Sequence, residues 1–202
     1  GNFSTECIRN PLEWMYYQSD SRQLKHIHSI FGEKKLRSFP TTNIVWHKFW
    51  LPYIKGIKVY RPLDYIPYIK EEAKKVLIKD LGWQPYKQKH FESRFTKFYE
   101  SYWLPERFGY DVRKVQFSSL ILTGQMTRKE ALNQLKNKSY DKNTIMSEKE
   151  FIANKLDISL EELEDYMKMP KKTYKDYKNQ EFIYNLGANI LKTIGIEKGG
   201  KR

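Results

Sequence analysis

The sequence contains one cysteine, Cys7, so it can form no internal disulfide and offers no Cys/His zinc pattern. No apolar run approaches the roughly 18 residues that a membrane-spanning helix needs, and no signal peptide is visible. The ten glycines build neither of the two common phosphate-binding loops. A serine nucleophile elbow and a His-Glu-x-x-His motif are also missing. These absences exclude several enzyme classes, and they favour a cytoplasmic protein with no membrane partner.

Positive charge is abundant and unevenly distributed. The formal net charge is +13 over 202 residues, whereas residues 147–168 carry seven acids and three bases, a net of −4, which leaves +17 for the rest. Such a basic surface favours nucleic acid, nucleotides or nucleotide-linked sugars as partners. A lysine-rich solvated surface explains the same charge without a ligand, so composition leaves both interpretations open.

Local patterns predict a mainly α fold, with at most a short strand near residues 57–60. Periodicity and end signals predict helices over residues 22–31, 69–81, 90–104, 111–122 and 180–194. The helix over 90–104 carries an aromatic stripe and is expected to end at Pro105. Three capping boxes predict further short helices: Thr127 with Glu130, Ser147 with Glu150, and Ser159 with Glu162. The polar residues 197–202 are expected to be disordered.

Polar residues cluster at the starts of two of these helices. The helix over 90–104 opens with Lys89, His90, Glu92 and Ser93. On the next helix a polar line is formed by Asp111, Lys114, Ser118 and Gln125, with Arg113, Ser119 and Arg128 nearby. Helix N-termini attract anions, so these residues are candidates for phosphate binding. Helix physics alone favours the structural alternative, in which Asp111 is an N-cap, the basic residues are solvated and the serines pack closely.

The amino-acid sequence of this region resembles that of the N-acetyl sugar amidotransferase family. The resemblance is carried by residues 89–99 (KHFESRFTKFY), 102–105 (YWLP), 108–114 (FGYDVRK) and 118–132 (SSLILTGQMTRKEAL), with weaker support from 1–6, 36–40 and 57–68. It covers residues 1–177, and residues 178–202 look like an extension.

The resemblance implies an ATP-pyrophosphatase (PP-loop) enzyme of bacterial surface-glycan synthesis, in the lipopolysaccharide, O-antigen or flagellin pathway. Such an enzyme converts the acetamido group of a nucleotide-linked N-acetyl sugar into an acetamidino group. It also implies ATP and Mg as cofactors, and ammonia from a glutaminase with a cyclase-like partner subunit. By the same resemblance the catalytic candidates are Glu92, Asp111 and His90. The substrate or phosphate candidates are Lys89, Ser93, Arg113, Lys114, Ser118, Ser119, Gln125 and Arg128. Asn2, Thr5 and Glu6 would lie at the edge of the nucleotide site, and no metal ligand is expected.

The family's pyrophosphate loop and Cys-rich zinc segment are absent from the sequence. We therefore expect the helical C-terminal region of a PP-loop α/β enzyme, which binds neither ATP nor Mg alone and works with an N-terminal PP-loop domain. The expected division is a trailing part of the nucleotide-binding domain with a connector (1–68), a helical substrate region (69–138), an acidic helical subdomain (139–178), and a C-terminal helix with its tail (179–202). Two alternative functions stay open at this point. One is an RNA-binding domain of a tRNA-modifying PP-loop enzyme, although nucleic acid is the weaker expectation. The other is a partner-docking module built on the acidic helices.

Overall fold

A computed structural model of the chain describes residues 10–11, 13–17, 19–60, 62, 65–66, 68–86, 88, 90–193 and 195. All regular secondary structure in this part of the chain is helical, which confirms the predicted mainly α fold. The segment 56–60, where the sequence allows a short strand, has no regular secondary structure. None of the helices in these residues is long and apolar enough to cross a membrane.

The helices follow one another along the chain without an intervening sheet in the described residues. They are α1 (Ser21–Phe31), a π-helix π1 (Trp46–Ile54), α2 (Lys70–Leu81), α3 (Arg94–Phe98), a second π-helix π2 (Tyr99–Phe108), α4 (Val112–Leu122), α5 (Arg128–Leu135), α6 (Ile145–Leu156), α7 (Leu160–Lys168), a 3₁₀ turn (Tyr174–Asp176) and α8 (Glu181–Thr193).

The chain divides into two compact units. Unit 1 comprises Gly1–Asn10 and Arg61–Lys171, and unit 2 comprises Pro11–Tyr60 and Lys172–Arg202. The functional division into four regions that the sequence suggests stays a prediction.

The core of unit 1 lies where α3, π2, α6 and α7 meet. Phe98, Ile152, Ala153 and Leu163 are buried there, and Ile152 is only 1% exposed. Tyr102, Trp103, Ile145, Phe151 and Ile158 pack around them. The aromatic stripe of the sequence therefore contributes to a core, as such stripes usually do, and burial of these large rings supplies the main driving force for this unit.

Both predicted ends of the aromatic helix over 90–104 are wrong. His90 has a positive φ of 67°, and the helix begins only at Arg94, after Ser93, whose hydroxyl accepts a hydrogen bond from the backbone N–H of Thr96. At the other end Pro105 lies inside π2, which continues to Phe108 and stops at Gly109, in the left-handed conformation.

A long-range hydrogen bond anchors π2 to the segment that follows α5. Ser101 is buried, and its carbonyl accepts a hydrogen bond of 2.6 Å from Ser139 Oγ. Pro105 has no N–H and so cannot make the i→i−5 bond of a π-helix, but π2 continues past it to Phe108. The contact between Ser101 and Ser139 spans 38 residues of sequence, so the local pattern around Pro105 does not reveal it.

The three predicted capping boxes have different outcomes. The box of Thr127 and Glu130 is present with both hydrogen bonds at the start of α5. At α7, Ser159 is the N-cap and accepts from the N–H of Glu162, as predicted. The box at Ser147 is wrong, because α6 already begins at Ile145, which packs against the core, and Ser147 lies inside the helix.

Unit 2 is held together by a buried aspartate. Asp20 caps α1 through the N–H of Gln23 at 3.0 Å, and it also accepts from the hydroxyl of Tyr16 at 2.9 Å and from the backbone N–H of Gln180. Burial and the neighbouring Asp20 carboxylate raise the pKa of Tyr16 far above its ordinary value. Stacked tyrosine pairs (Tyr16 with Tyr174, Tyr17 with Tyr184) complete this junction. The result ties α1 to α8, which lie at opposite ends of the sequence.

Candidate functional site

The N-terminus of α4 contains a buried ion pair between two of the predicted site residues. Asp111 is the N-cap and accepts from the backbone N–H of Arg113. The guanidinium of Arg113 binds the same carboxylate, with Nε to Oδ1 at 2.9 Å and Nη2 to Oδ2 at 2.7 Å, and its Nη1 donates to the carbonyl of Gln134 at the end of α5. The Arg113 side chain is 7% exposed. This geometry supports a positioning function, in which the pair fixes α4 against α5.

The two serines of α4 face different surroundings. Ser119 is 1% exposed, so it packs in the interior. Ser118 is exposed, and its hydroxyl donates to the carbonyl of Lys114 at 2.6 Å. Lys114 and Leu122 are also exposed, and Leu122 reaches 73%. Since residues 114, 118 and 122 are spaced four apart, they form one uncovered line, which we call the α4 outer face.

Gln125 joins the start of α2 to the end of α4. Its Oε1 accepts from the backbone N–H of Lys70, the first residue of α2, at 2.9 Å. Its Nε2 donates to Thr123 Oγ1 at the end of α4, at 3.1 Å. Because α2 has no side-chain N-cap of its own, Gln125 supplies one of its missing acceptors. The residue thus positions the start of α2 beside the turn that leads into α5.

Arg128 is exposed at the first position of α5, immediately after the Thr127 cap. The capping box around it is well formed, since hydrogen bonds from Thr127 lower the pKa of Glu130. Arg128 and Lys114 are therefore the predicted phosphate ligands whose charged ends the structure leaves accessible.

The predicted polar residues before α3 are not tightly packed against one another. His90 Nδ1 lies 3.7 Å from Glu92 Oε1, and both side chains are about half exposed, at 46% and 49%. Ser93 uses its hydroxyl as the N-cap of α3 and as the acceptor for Thr96 Oγ1 at 3.0 Å. Lys89, Asn2, Thr5 and Glu6 lie outside the described residues.

The predicted site residues thus form three separate groups, around His90, around Arg113 and around Gln125. Their assignment as catalytic or substrate-binding residues stays a prediction. The geometry separates them into residues that hold helices together (Asp111, Arg113, Ser119, Gln125) and residues with accessible polar ends (His90, Glu92, Lys114, Ser118, Arg128).

The described residues contain no group of three His, Cys, Asp or Glu side chains that could hold a metal ion. The acids of α6 and α7 are partly engaged within unit 1. Glu148 binds both Arg94 at 2.7 Å and Lys97 at 3.2 Å, and Glu164 forms an ion pair with Lys149. We assign no chemical step through ATP to these side chains.

Two contacts within unit 1 could not be predicted from the sequence. Arg107 donates from Nη1 and Nη2 to the carbonyls of Met167 and Met169, at the last turn of α7. Lys149 lies 5.1 Å from the ring of Tyr102, beside a shallow depression that Trp103 and Met167 also line. The partners of each contact are far apart in sequence, and no local motif relates them.

A match to a known protein family falls on the region just described. Residues 92–191 match the family described as LPS biosynthesis protein WbpG-like, C-terminal domain. These residues are therefore similar to the C-terminal domain of WbpG-like LPS biosynthesis proteins. No curated protein and no solved structure matches the chain.

The matched region begins at Glu92, so it includes the α4 outer face, Arg128 and the Asp111–Arg113 pair. It ends at residue 191, beyond residue 177, where the sequence resemblance was expected to stop. Most of α8 therefore lies inside the matched region, and the expected extension over 178–202 is wrong for residues 178–191. The other segments of resemblance, in residues 1–91, lie outside the match.

Proposed function

We propose that this chain is the helical C-terminal part of an ATP-dependent N-acetyl sugar amidotransferase in bacterial lipopolysaccharide or related glycan synthesis. The observation that carries the proposal is the WbpG-like match over 92–191, which coincides with the segments that resemble this amidotransferase family. In this proposal a PP-loop domain binds Mg-ATP, and a glutaminase with a cyclase-like subunit supplies ammonia. The substrate is a nucleotide-linked N-acetyl sugar whose acetamido oxygen is replaced by nitrogen.

The chain's own contribution is to hold the substrate. A nucleotide-linked sugar carries a diphosphate, and exposed cations on an ordered helix scaffold are suited to bind it. Lys114 and Arg128 have this placement, and the buried Asp111–Arg113 pair keeps α4 and α5 in register beneath them. The acetamido oxygen is a poor leaving group, so the reaction also needs activation by ATP, which this proposal assigns to the PP-loop domain.

Glu92 and His90 are assigned a proton-transfer role. Ammonia must lose protons as it becomes the amidino nitrogen, and a carboxylate or imidazole within hydrogen-bond distance can accept one. Their exposed position before α3 leaves them free to approach a substrate bound by the complete enzyme. Replacing Glu92 with Gln should lower kcat more than it raises KM, if this role is correct.

The substrate-binding role is tested in the complete enzyme, with ammonium salt as the nitrogen source so that the result does not depend on a glutaminase. We expect Lys114→Ala and Arg128→Ala each to lower kcat/KM roughly 10- to 150-fold, mainly through KM, because each removes a charge-assisted bond worth roughly 1.5–3 kcal/mol. Lys142→Ala is the matched control, since Lys142 is an exposed lysine of the same unit outside the proposed site.

Unchanged KM in both variants would remove the α4 outer face from the substrate site while leaving the family assignment intact. A comparable loss in Lys142→Ala would show that overall charge, and not a specific site, controls binding. The circular dichroism spectrum of each variant should match that of the unmodified protein, because the altered side chains are exposed.

A further inference from the structure

The first turn of α3 lies next to one of the candidate acid–base residues. Arg94 begins α3, two residues after Glu92. At its other end α3 continues directly into π2, and Phe98 at the junction is buried in the core of unit 1. The first backbone N–H groups of a helix have no partner within it, so a first turn frays unless other contacts hold it. The contacts of Arg94 therefore decide how firmly Glu92 is placed.

Glu148 of α6 anchors this turn. Its side chain is only 13% exposed. Its Oε2 accepts from Arg94 Nε at 2.7 Å and its Oε1 accepts from Lys97 Nζ at 3.2 Å, so both oxygens of one carboxylate bind α3. The Arg94 guanidinium also lies 3.7 Å from the centre of the Phe151 ring, three residues further along α6. Charge-assisted hydrogen bonds and a cation–π contact together fix Arg94 more firmly than a single surface ion pair does.

The residues immediately before α3 adopt a conformation that needs support. His90 has a φ of 67°, which is uncommon for a residue other than glycine, and its carbonyl accepts from the N–H of Ser93 at 3.3 Å. Ser93 is in turn the N-cap of α3. Such backbone conformations persist only where surrounding contacts hold them, and they occur often at functional sites. The turn that carries His90 and Glu92 is therefore built on the end of α3 that Glu148 holds.

From this arrangement we infer that Glu148 is a positioning residue for the proton-transfer step: by holding Arg94, it fixes the place from which Glu92 meets the substrate. The inference rests on the proposed function, which assigns proton transfer to Glu92. Both oxygens of Glu148 are already engaged, so the proton from ammonia goes to Glu92 and not to Glu148. Proton transfer needs the acceptor within hydrogen-bond distance of the reacting nitrogen, and a displacement of about 1 Å costs up to about 100-fold in rate.

Unit 1 contains a second ion pair that serves as a matched control. Glu164 of α7 binds Lys149, the residue that follows Glu148 in α6. Glu164→Gln therefore breaks an ion pair between α6 and α7, whereas Glu148→Gln breaks the ion pairs between α6 and α3. The two variants remove the same chemical group from the same unit, and only one of them removes the anchor of α3.

The experiment compares kcat and KM of the complete enzyme, with ammonium salt as the nitrogen source. Glu148→Gln should lower kcat about tenfold or more and change KM less than about twofold, because it displaces the proton acceptor and leaves the substrate-binding cations in place. Arg94 and Lys97 are 46% and 37% exposed, so water solvates them after the change and the fold is kept. Glu164→Gln should leave kcat within about twofold of the unmodified enzyme.

A double variant tests whether Glu148 acts through Glu92. Glu92→Gln removes the proton acceptor, so adding Glu148→Gln to it should lower kcat less than about twofold further. Hydrogen exchange of residues 93–97 follows the anchor independently of activity. Exchange should be faster in Glu148→Gln than in the unmodified protein, and unchanged in Glu164→Gln.

Equal losses of kcat in Glu148→Gln and Glu164→Gln would show a general weakening of unit 1 and overturn the inference. A double variant whose loss is the product of the two single losses would also overturn it, since Glu148 would then act independently of Glu92. An active enzyme in which Glu148→Gln keeps its full kcat refutes only the positioning role, and faster exchange in that variant would make the anchor purely structural. A complete enzyme that modifies no N-acetyl sugar refutes the proposed function, and the inference with it.

Discussion

Removing the carboxylate of Asp111 tests whether the polar start of α4 is a structural element or a catalytic one. In the structure this carboxylate performs two tasks, capping α4 and neutralising Arg113, whose side chain is 7% exposed. Breaking a buried pair by removing one partner typically costs about 3–5 kcal/mol, because the remaining charge stays buried without compensation. Loss of an N-cap costs about 1 kcal/mol more.

The variants Asp111→Asn and Asp111→Ala separate these two contributions. Asparagine is a good N-cap but carries no charge, so it should lower the free energy of unfolding by about 3 kcal/mol, and alanine by about 1 kcal/mol more. The double variant Asp111→Asn with Arg113→Met should recover much of this loss, because no charge then remains buried. If Asp111 were a catalytic carboxylate without a structural role, its replacement should cause loss of activity and leave the free energy of unfolding unchanged.

The assay is urea unfolding followed by circular dichroism, together with hydrogen exchange of the α4 and α5 amides. Exchange is needed because the chain has two compact units, and a single transition does not report on unit 1 alone. Faster exchange should appear first in α4 and α5, since Arg113 bonds to the carbonyl of Gln134. A change below about 0.5 kcal/mol for Asp111→Asn, the range of ordinary surface substitutions, would refute the buried-pair argument.

Two further predictions concern unit 1. Ser139→Ala should destabilise the protein by about 0.5–1.5 kcal/mol in urea unfolding, because it removes the hydrogen bond that ties the buried carbonyl of Ser101 to the segment after α5; no effect would show that this contact does not stabilise unit 1. Burial raises the pKa of Glu148, but hydrogen bonds from Arg94 and Lys97 outweigh it, so the folded-state pKa lies below the ordinary 4.5. A lowered carboxyl pKa stabilises the folded state above 4.5 and ceases to do so as the pH falls through the folded-state value. The stability advantage over Glu148→Gln should therefore shrink in this acidic range, and a constant difference would contradict the ion pairs.

Helix boundaries were predictable where the end signals are local. The structure places α1, α2, α4 and α8 within one residue of the predicted ends, and α1 and α4 have the expected kind of polar cap in Asp20 and Asp111. Caps and glycine stops act over three or four residues, so a sequence window contains all the information they need.

The failures have a common cause in contacts between distant segments. Pro105 does not end its helix, and π2 is tied to Ser139, 38 residues beyond Ser101. The box at Ser147 does not start a helix because burial of Ile145 starts it earlier. Gln125 looks like part of a polar line on α4, yet it binds the backbone of Lys70, 55 residues away. No local window contains these contacts.

The same limit applies to the candidate site. The sequence identified the region that matches the WbpG-like domain, because a long and unusual string of residues carried the resemblance. It did not separate accessible side chains from those engaged in holding helices. Lys114 and Arg113 are adjacent and chemically similar, but one is exposed and the other is buried against Asp111. Burial of this kind follows from helix packing and is invisible to charge patterns.

The most direct test of the central claim is transfer of nitrogen from isotopically labelled ammonium to a nucleotide-linked N-acetyl sugar, followed by mass spectrometry. With ATP and Mg, the complete enzyme should replace the acetamido oxygen with labelled nitrogen, whereas the 202-residue chain alone should neither modify the sugar nor consume ATP. ATP-dependent amidination by this chain alone, or a complete enzyme that leaves every such sugar unchanged, would contradict the account.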